Sequence, residues 1–342
     1  MGDILHALPA VTALHRAHPA WHIGWVVDPR WQFLLGARDQ GSGVSEPRDP
    51  KMPVVDRLHF APSRDWKRHP LSAQTRSQIA ALRRELREAR YDAVLDLQGA
   101  IRSAIIARMT GCPRRIGEAK PREWPAHWLF TQRIATHGAH VIEQDVELAS
   151  AVAGDPLEIV EPLLPVDTEA ERWCDAWLAE HGMAARPLAF LAPGAGWGTK
   201  RWPPERYAAV AVGLIQRGFQ VLVNAPPGEE SLAAPIAAAG AIPFTATLPQ
   251  LIALTRRIAV CIAGDTGPLH LACALGRPIV GIYGPTDPSR NGPFGTRARV
   301  LHSPVSRRDY THRDAPDPGL LTIMPEDVLR AADELLAEER PG

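Results

Sequence analysis

The densest chemistry in the chain lies in Ala263-Gly264-Asp265-Thr266-Gly267-Pro268-Leu269-His270-Leu271-Ala272, where an apolar run gives way to a helix signal. Ile258 to Ile262 suits a buried parallel strand, and Leu269 to Leu275 suits a helix that Gly276 ends. Thr266 can cap that helix and Pro268 fits its first turn, which predicts outward-facing N–H groups at Gly267, Leu269 and His270. Unpaired N–H groups and a helix dipole favour a phosphate. Asp265 at the rim can bind sugar hydroxyls, and His270 can serve the phosphate side. An ordinary capped turn, with His270 packed on an apolar face, accounts for the same residues.

Three further turns follow apolar runs in the second half of the chain, and in a parallel sheet that edge is where ligands bind. Ala192-Pro193-Gly194-Ala195-Gly196-Trp197-Gly198-Thr199-Lys200 is glycine-rich and ends on a lysine, a pattern suited to an anion or to a surface loop. It lacks the G-x-x-x-x-G-K-[ST] spacing of a Walker loop. Asn224-Ala225-Pro226-Pro227-Gly228-Glu229-Glu230 opens a helix with two acids, explained either by the helix dipole or by ribose hydroxyls. Phe244-Thr245-Ala246-Thr247 offers hydroxyls and backbone to a nucleobase. In the first half, Asp3 precedes an amphipathic run with Leu5, Leu8, Val11 and Leu14 on one face. It is a helix cap or, at the rim of a site, a general base.

These turns need a scaffold, and 342 residues are enough for two domains of roughly 150 each. Helix signals at Ile4 to His18, Leu71 to Arg90 and Ile101 to Thr110 alternate with strands at Ile23 to Val27 and Ala93 to Leu97. After a looser, proline-bearing linker from Gly154 to Pro187, which holds a helix at Glu169 to His181, the alternation resumes. Strands are expected at Leu188 to Leu191, Gln220 to Val223, Ile258 to Ile262 and Ile279 to Ile282. Helices are expected at Pro204 to Gln216, Glu229 to Ala238, Pro249 to Arg256 and Pro325 to Glu338. Alternation of this kind predicts parallel sheets with helices on both faces. Asp39 to Pro70 and Lys120 to Trp128 read as long loops. With 38 basic and 38 acidic residues the chain is not a dedicated nucleic-acid binder. Cys112, Cys174, Cys261 and Cys273 have no C-x-x-C spacing and read as reduced structural thiols. No metal cluster is suggested. The chain has no apolar run of about 18 residues and no signal peptide, which predicts a cytoplasmic protein.

Taken in order, Gly2-Asp3-Ile4-Leu5-His6-Ala7-Leu8-Pro9-Ala10, Tyr91 to Gly99, the Gly194 to Pro203 loop, Asp265 to His270 and Tyr283-Gly284-Pro285-Thr286-Asp287-Pro288 closely resemble the lipopolysaccharide heptosyltransferases of glycosyltransferase family 9, especially the heptosyltransferase I group. The resemblance implies an α/β GT-B fold of two Rossmann-like domains facing across a cleft. Residues 1–160 would bind the acceptor, 161–324 the nucleotide sugar, and 325–342 would form a helix packing back on the N-terminal domain. It implies an inverting transferase that needs neither metal nor cofactor and moves heptose from ADP-L-glycero-D-manno-heptose to the Kdo region of the inner core. By position, Asp3 matches the base and Lys200 the residue that stabilises the leaving ADP. Gly194, Ala195, Gly196, Glu229, Thr247, Asp265, Thr266, Gly267 and His270 match donor contacts. Arg102, Lys120 and Arg122 lie where the family gathers basic residues for a phosphorylated lipid A acceptor, although generic surface charge explains them equally. A lipid acceptor also implies peripheral contact with the cytoplasmic face of the inner membrane, through Trp124, Trp128 and their basic neighbours, unless those tryptophans are core.

Two departures qualify the match. Gln144 stands where an arginine is frequent, and only Met1 precedes the Gly-Asp pair, where the family has a strand and a small-residue loop. The expectation is an N-terminal sheet lacking its central strand, in a natural protein that extends upstream. A nucleotide-sugar epimerase of the same fold, or a donor-binding protein inactive for want of that strand, are the alternatives. A nicotinamide oxidoreductase is disfavoured because no G-x-G-x-x-G follows a strand.

Overall fold

The computed structural model describes residues 1–36, 55–183, 185–306 and 315–338. The chain divides into two units, one up to Pro165 and one from Val166.

The first unit begins with α1 (Gly2–Ala17), whose residues from Leu5 to Leu14 are all buried, so the helix is enclosed rather than half-exposed. Next come β1 (Gly24–Val27), β2 (Arg57–Phe60), α2 (Ser63–Arg68), α3 (Ala73–Glu88), β3 (Val94–Asp96), α4 (Ile101–Met109), β4 (Arg115–Glu118), β5 (Gln132–Ile134) and α5 (Val141–Ala153). Pairing is parallel throughout, and among the described residues the strands form two sheets, β1-β2 and β3-β4-β5. The expected loop from Asp39 to Pro70 needs correction: residues 39–54 lie outside the described residues, and the rest supplies β2 and α2. Lys120 to Trp128 likewise ends in a 3-10 turn, Trp124–Leu129.

The second unit comprises α6 (Thr168–Glu180), β6 (Leu188–Ala192), α7 (Pro204–Gln216), β7 (Gln220–Asn224), α8 (Glu230–Ala238), β8 (Ile242–Phe244), α9 (Leu248–Thr255), β9 (Val260–Gly264), α10 (Gly267–Ala274), β10 (Ile279–Tyr283), α11 (Pro288–Asn291), β11 (Ala298–His302) and α12 (Pro325–Ala337). Its six strands are parallel in the order β11-β10-β9-β6-β7-β8. Numbered within the unit that order is 6-5-4-1-2-3, the Rossmann arrangement, and its switch point lies between β6 and β9. Successive side chains fall on opposite faces, and both faces are buried. Ala189, Leu191, Val260, Ile262, Val280 and Ile282 enter one cluster with α7, α8 and α12. Phe190, Cys261, Ala263, Ile279 and Tyr283 enter the other with α6, α9 and α10. Val328, Ala331, Ala332 and Leu335 of α12 belong to the first of these clusters, so the terminal helix spends its apolar face within the second unit. Among the described residues no helix is long and apolar enough to cross a membrane. All four cysteines are free, and burial raises the Cys174 thiol to about 11 and Cys273 to about 12, consistent with packing rather than reactive roles.

One side chain fixes the loop after β6. Trp202 is 1 % exposed, donates its indole N–H to the Ile323 carbonyl at 3.1 Å and meets Tyr207 edge-on at 4.9 Å. Trp202→Ala is expected to cost roughly 3–5 kcal/mol in denaturant unfolding. A loss under about 1 kcal/mol would show that the loop is anchored elsewhere.

Candidate active site

The strand ends of the second unit bring the predicted turns to one sheet edge. Ala192 pairs in register with Ala263, Ile282 with Gly264, and Asn224 with Phe244, so the loops after β6, β7, β8, β9 and β10 leave the sheet at nearly one level. Lys200 and Asp265 meet beside the switch point. The lysine Nζ donates to Asp265 Oδ2 at 2.5 Å, and His270 Nε2 lies 3.0 Å from Asp265 Oδ1. The lysine and aspartate side chains are only 11 % and 10 % exposed. Burial alone would push the Asp265 carboxyl up, but its hydrogen bond from His270 and the charges of His270 and Lys200 outweigh that and hold it well below the usual range. The Lys200 ammonium also sits 4.1 Å from the centroid of the Trp197 ring. Asp265 is therefore an enclosed anchor, whereas the sequence suggested a rim acid, and His270 is first of all its partner.

The helix start differs from expectation in two details. Thr266 stands at the N-cap position with extended backbone, yet its side chain makes no capping bond and its Oγ1 is a buried atom without a partner. The His270 N–H bonds to the Thr266 carbonyl at 3.2 Å, so only the N–H groups of Gly267 and Leu269 lie outside the helical ladder. A second buried hydroxyl without a partner belongs to Thr286, 1 % exposed, in the turn after β10. It lies in the Tyr283-Gly284-Pro285-Thr286-Asp287-Pro288 segment.

Glu229 and Glu230 differ in their surroundings. Glu230 accepts from the Gly228 N–H at 3.0 Å and so serves the helix start. Glu229 makes no capping bond; its Oε2 lies 2.0 Å from where a Cβ on Gly194 would stand. A Cβ at position 194 would push that carboxylate aside, and burial raises the carboxyl's pKa while the Arg201 charge opposes the rise. Gly196 meets no such neighbour. Ala195 accepts from the Arg201 guanidinium through its carbonyl at 3.5 Å. Thr247 is exposed at the start of α9, with its N–H donated to Gln250 at 2.9 Å.

In the first unit, Asp3 does not cap α1, whose N-cap is Met1. Its exposed carboxylate accepts from Gln98 Nε2 at 2.9 Å and lies 3.8 Å from the Arg122 guanidinium. Arg102 donates to the other end of the same Gln98 amide at 3.4 Å, which fixes its orientation, because only the NH2 side can face a carboxylate. Asp96, buried at the end of β3, shapes this turn: its Oδ1 accepts from the Gln98 and Gly99 N–H groups, both at 2.9 Å, and from the Ser103 hydroxyl at 3.1 Å. Burial nevertheless raises its carboxyl, against those hydrogen bonds. Gly99 has φ +62°, and a Cβ there would come within 2.9 Å of the Arg122 backbone nitrogen. That close approach brings Arg122 to Asp3. Lys120 is exposed, and Gln144 donates to the Gly138 carbonyl at 2.8 Å. Sequence reasoning had missed Gln98 and Asp96 as positioning residues; the Asp-Leu-Gln-Gly motif was the available signal. Among the described residues no group of three or more His, Cys, Asp or Glu side chains is placed to hold a metal ion.

The chain is a glycosyltransferase, an α/β protein whose second unit has Rossmann strand order. The chain belongs to glycosyltransferase family 9 (heptosyltransferase), whose family model matches residues 79–317. Similar proteins include lipopolysaccharide heptosyltransferase 1 of Pseudomonas aeruginosa, 28 % identical over 86 % of this chain and 79 % of that protein. Lipopolysaccharide heptosyltransferase 2 of Salmonella typhimurium is 30 % identical over 74 % of this chain and 78 % of its own length. A solved Escherichia coli heptosyltransferase with ADP shares the fold, with a TM-score of 0.74 and 24 % identity over 98 % of this chain and 97 % of that one.

Lys200→Ala would leave Asp265 buried with His270 as its remaining partner. The expected loss is about 3–5 kcal/mol in urea unfolding, with a smaller further loss when Asp265→Ala is added. Simple additivity of the two losses would show that the pair is not coupled. Because the folded Asp265 carboxyl is held below its unfolded value, its stabilising contribution is complete above about pH 4 and fades as the pH falls further.

Proposed function

We propose that this glycosyltransferase moves L-glycero-D-manno-heptose from its ADP carrier to the Kdo region of a lipopolysaccharide inner core, with inversion. The carrying observation is the Lys200–Asp265–His270 cluster at the switch point of the second unit's sheet, in a chain whose family is heptosyltransferase. In this reading Asp3 accepts the proton of an acceptor hydroxyl, whose oxygen attacks the anomeric carbon as the bond to the ADP phosphate breaks. A positioned base of this kind contributes roughly 10²–10⁴-fold. Lys200 and the N–H groups of Gly267 and Leu269 take up the charge on the departing diphosphate. Asp265, Thr266 and His270 hold the sugar and diphosphate, and Gly194 to Gly196, Glu229 and Thr247 line the nucleotide. Arg102, Lys120 and Arg122 meet the anionic acceptor.

The reading assigns the leaving-group charge to Lys200 and the start of α10 rather than to a metal, and needs no cofactor. It locates the enzyme on the cytoplasmic face of the inner membrane. The epimerase alternative is the weaker one, because the family model and the two relatives described above are heptosyltransferases.

Acceptor-dependent ADP release from ADP-heptose and Kdo-lipid A tests the reaction, and chelation with EDTA should leave its rate unchanged. Interconversion of the sugar nucleotide without acceptor would sink the transfer reading. Asp3→Asn should lower turnover by at least about 100-fold and leave donor binding intact, whereas Lys200→Ala should weaken both. Near-normal turnover in Asp3→Asn would remove Asp3 from the base role. Glu229→Gln is expected to weaken ADP binding while raising the thermal midpoint slightly at neutral pH. A carboxyl whose pKa is raised on folding favours the proton-bound state, so its ionised form costs stability there. Unchanged ADP affinity would free Glu229 from the nucleotide.

A further inference from the structure

The turn that carries Lys200 also sets an aromatic ring against it. Trp197 stands with extended backbone at the N-cap of a 3-10 turn, Gly198–Lys200, and its carbonyl accepts from the Lys200 N–H at 3.2 Å. In 3-10 geometry side chains three positions apart eclipse one another, so this spacing lays residue 200 over residue 197. The ammonium comes to 4.1 Å from the centroid of the indole.

The turn is held from outside as well. The Arg201 N–H closes it on the Gly198 carbonyl at 2.8 Å, and the Thr199 carbonyl accepts from the Asp317 N–H at 3.1 Å. Asp317 is buried, and its carboxylate accepts from the Ser306 hydroxyl at 2.6 Å and the Gly319 N–H at 2.9 Å. The Lys200 carbonyl lies 3.4 Å from where a Cβ on Gly264 would stand, which seats the turn on the end of β9. Ring and ammonium are thus set against each other by the backbone that carries them.

Lys200 has two holders of different kinds. Asp265 Oδ2, 2.5 Å away, holds the ammonium while cancelling its charge. The indole face attracts a cation through its quadrupole and bears no net charge, so it holds the ammonium and leaves its charge available. With the lysine side chain only 11 % exposed, bulk water does little to dilute that attraction. We propose that Trp197 is a positioning residue for Lys200: its ring keeps the ammonium in place as Asp265 loosens its hold, so that an uncancelled charge meets the leaving diphosphate. The ring counts most as charge develops on that group, so its loss falls on kcat more than on the donor KM. This deepens the proposed reaction and rests on the role given there to Lys200.

Replacing Trp197 in the full chain by 5-fluoro-, 5,6-difluoro- and 5,6,7-trifluorotryptophan tests the proposal, because fluorine drains the ring face and hardly changes its shape. ADP release from ADP-heptose and Kdo-lipid A should slow stepwise along the series, reaching about tenfold in kcat, with the donor KM changed less than about threefold. Trp197→Phe should retain most of the turnover and Trp197→Leu should lose at least as much as the trifluorinated ring. The urea midpoint should fall along the same series in the wild type and stay level in a Lys200→Ala background. A flat kcat across the fluorinated rings overturns the proposal even if Trp197→Leu is slow, since the ring would then act by its shape. So does a fluorine effect confined to KM, or one that persists in Lys200→Ala, since the ring would then meet the donor itself. Lys200→Ala with normal turnover would overturn the leaving-group role of Lys200, and the unfolding series would still decide whether ring and ammonium are coupled.

Discussion

The carboxylate of Asp265, enclosed between Lys200 and His270, is the constraint around which the second unit is arranged. A buried ion pair compensates for lost hydration only when its geometry is tight and its remaining lone pairs are satisfied. Three elements must meet that demand together: the loop after β6 supplies the lysine, the end of β9 the aspartate, and the first turn of α10 the histidine. The sheet register keeps the first two level, with Ala192 opposite Ala263. Trp202 removes the freedom that the intervening glycine-rich loop would otherwise have, because its buried indole fixes the chain two residues beyond Lys200. The loop can therefore be rich in glycine near Gly194 and still deliver a lysine to a fixed place.

The first unit treats its acids in the opposite way. Asp96 is buried and spends one oxygen on two backbone N–H groups and a hydroxyl, shaping the turn at Gln98 and Gly99. Asp3 is exposed and held by one neutral amide, with a guanidinium at the outer limit of an ion pair. A neutral donor orients a carboxylate without the strong charge compensation that Asp265 receives. Environment separates the three acids into an ion-paired anchor, a turn builder and a reachable carboxylate, which is how one residue type can take distinct parts in a reaction.

The parts legible in the sequence were those decided by burial on both faces of a sheet. Ile258 to Ile262 and Ile279 to Ile282 are continuous apolar runs, and they fall on β9 and β10 to within two residues. The turns after them were legible for the same reason. Arg57–Phe60, Arg115–Glu118 and Gln132–Ile134 were not, because strands of three or four residues carrying charges show no measurable period. Long-range partners were hidden as well. Nothing near Asp3 in the chain announces Gln98, which lies 95 positions away, and nothing near Glu229 announces that its carboxylate would rest on Gly194. Local rules made Thr266 a cap and Glu229 a helix-start acid; tertiary contacts left the hydroxyl unpaired and drew the carboxylate elsewhere.

Electroneutrality limits what the Lys200–Asp265 pair can do for an anion. One positive and one negative charge at hydrogen-bond distance nearly cancel from afar, so the pair exerts little long-range pull on a diphosphate. Attraction has to come from close range, where the N–H groups of Gly267 and Leu269 and the positive end of α10 lie, and from whatever share of the Lys200 ammonium Asp265 releases. If sugar hydroxyls then hydrogen-bond to Asp265, its hold on Lys200 weakens and the ammonium gains freedom to follow the charge that develops on the leaving group. In the proposed reaction, binding the sugar and stabilising the diphosphate are consequently one rearrangement of a single ion pair, and the enclosure by His270 keeps the carboxylate in place while it occurs.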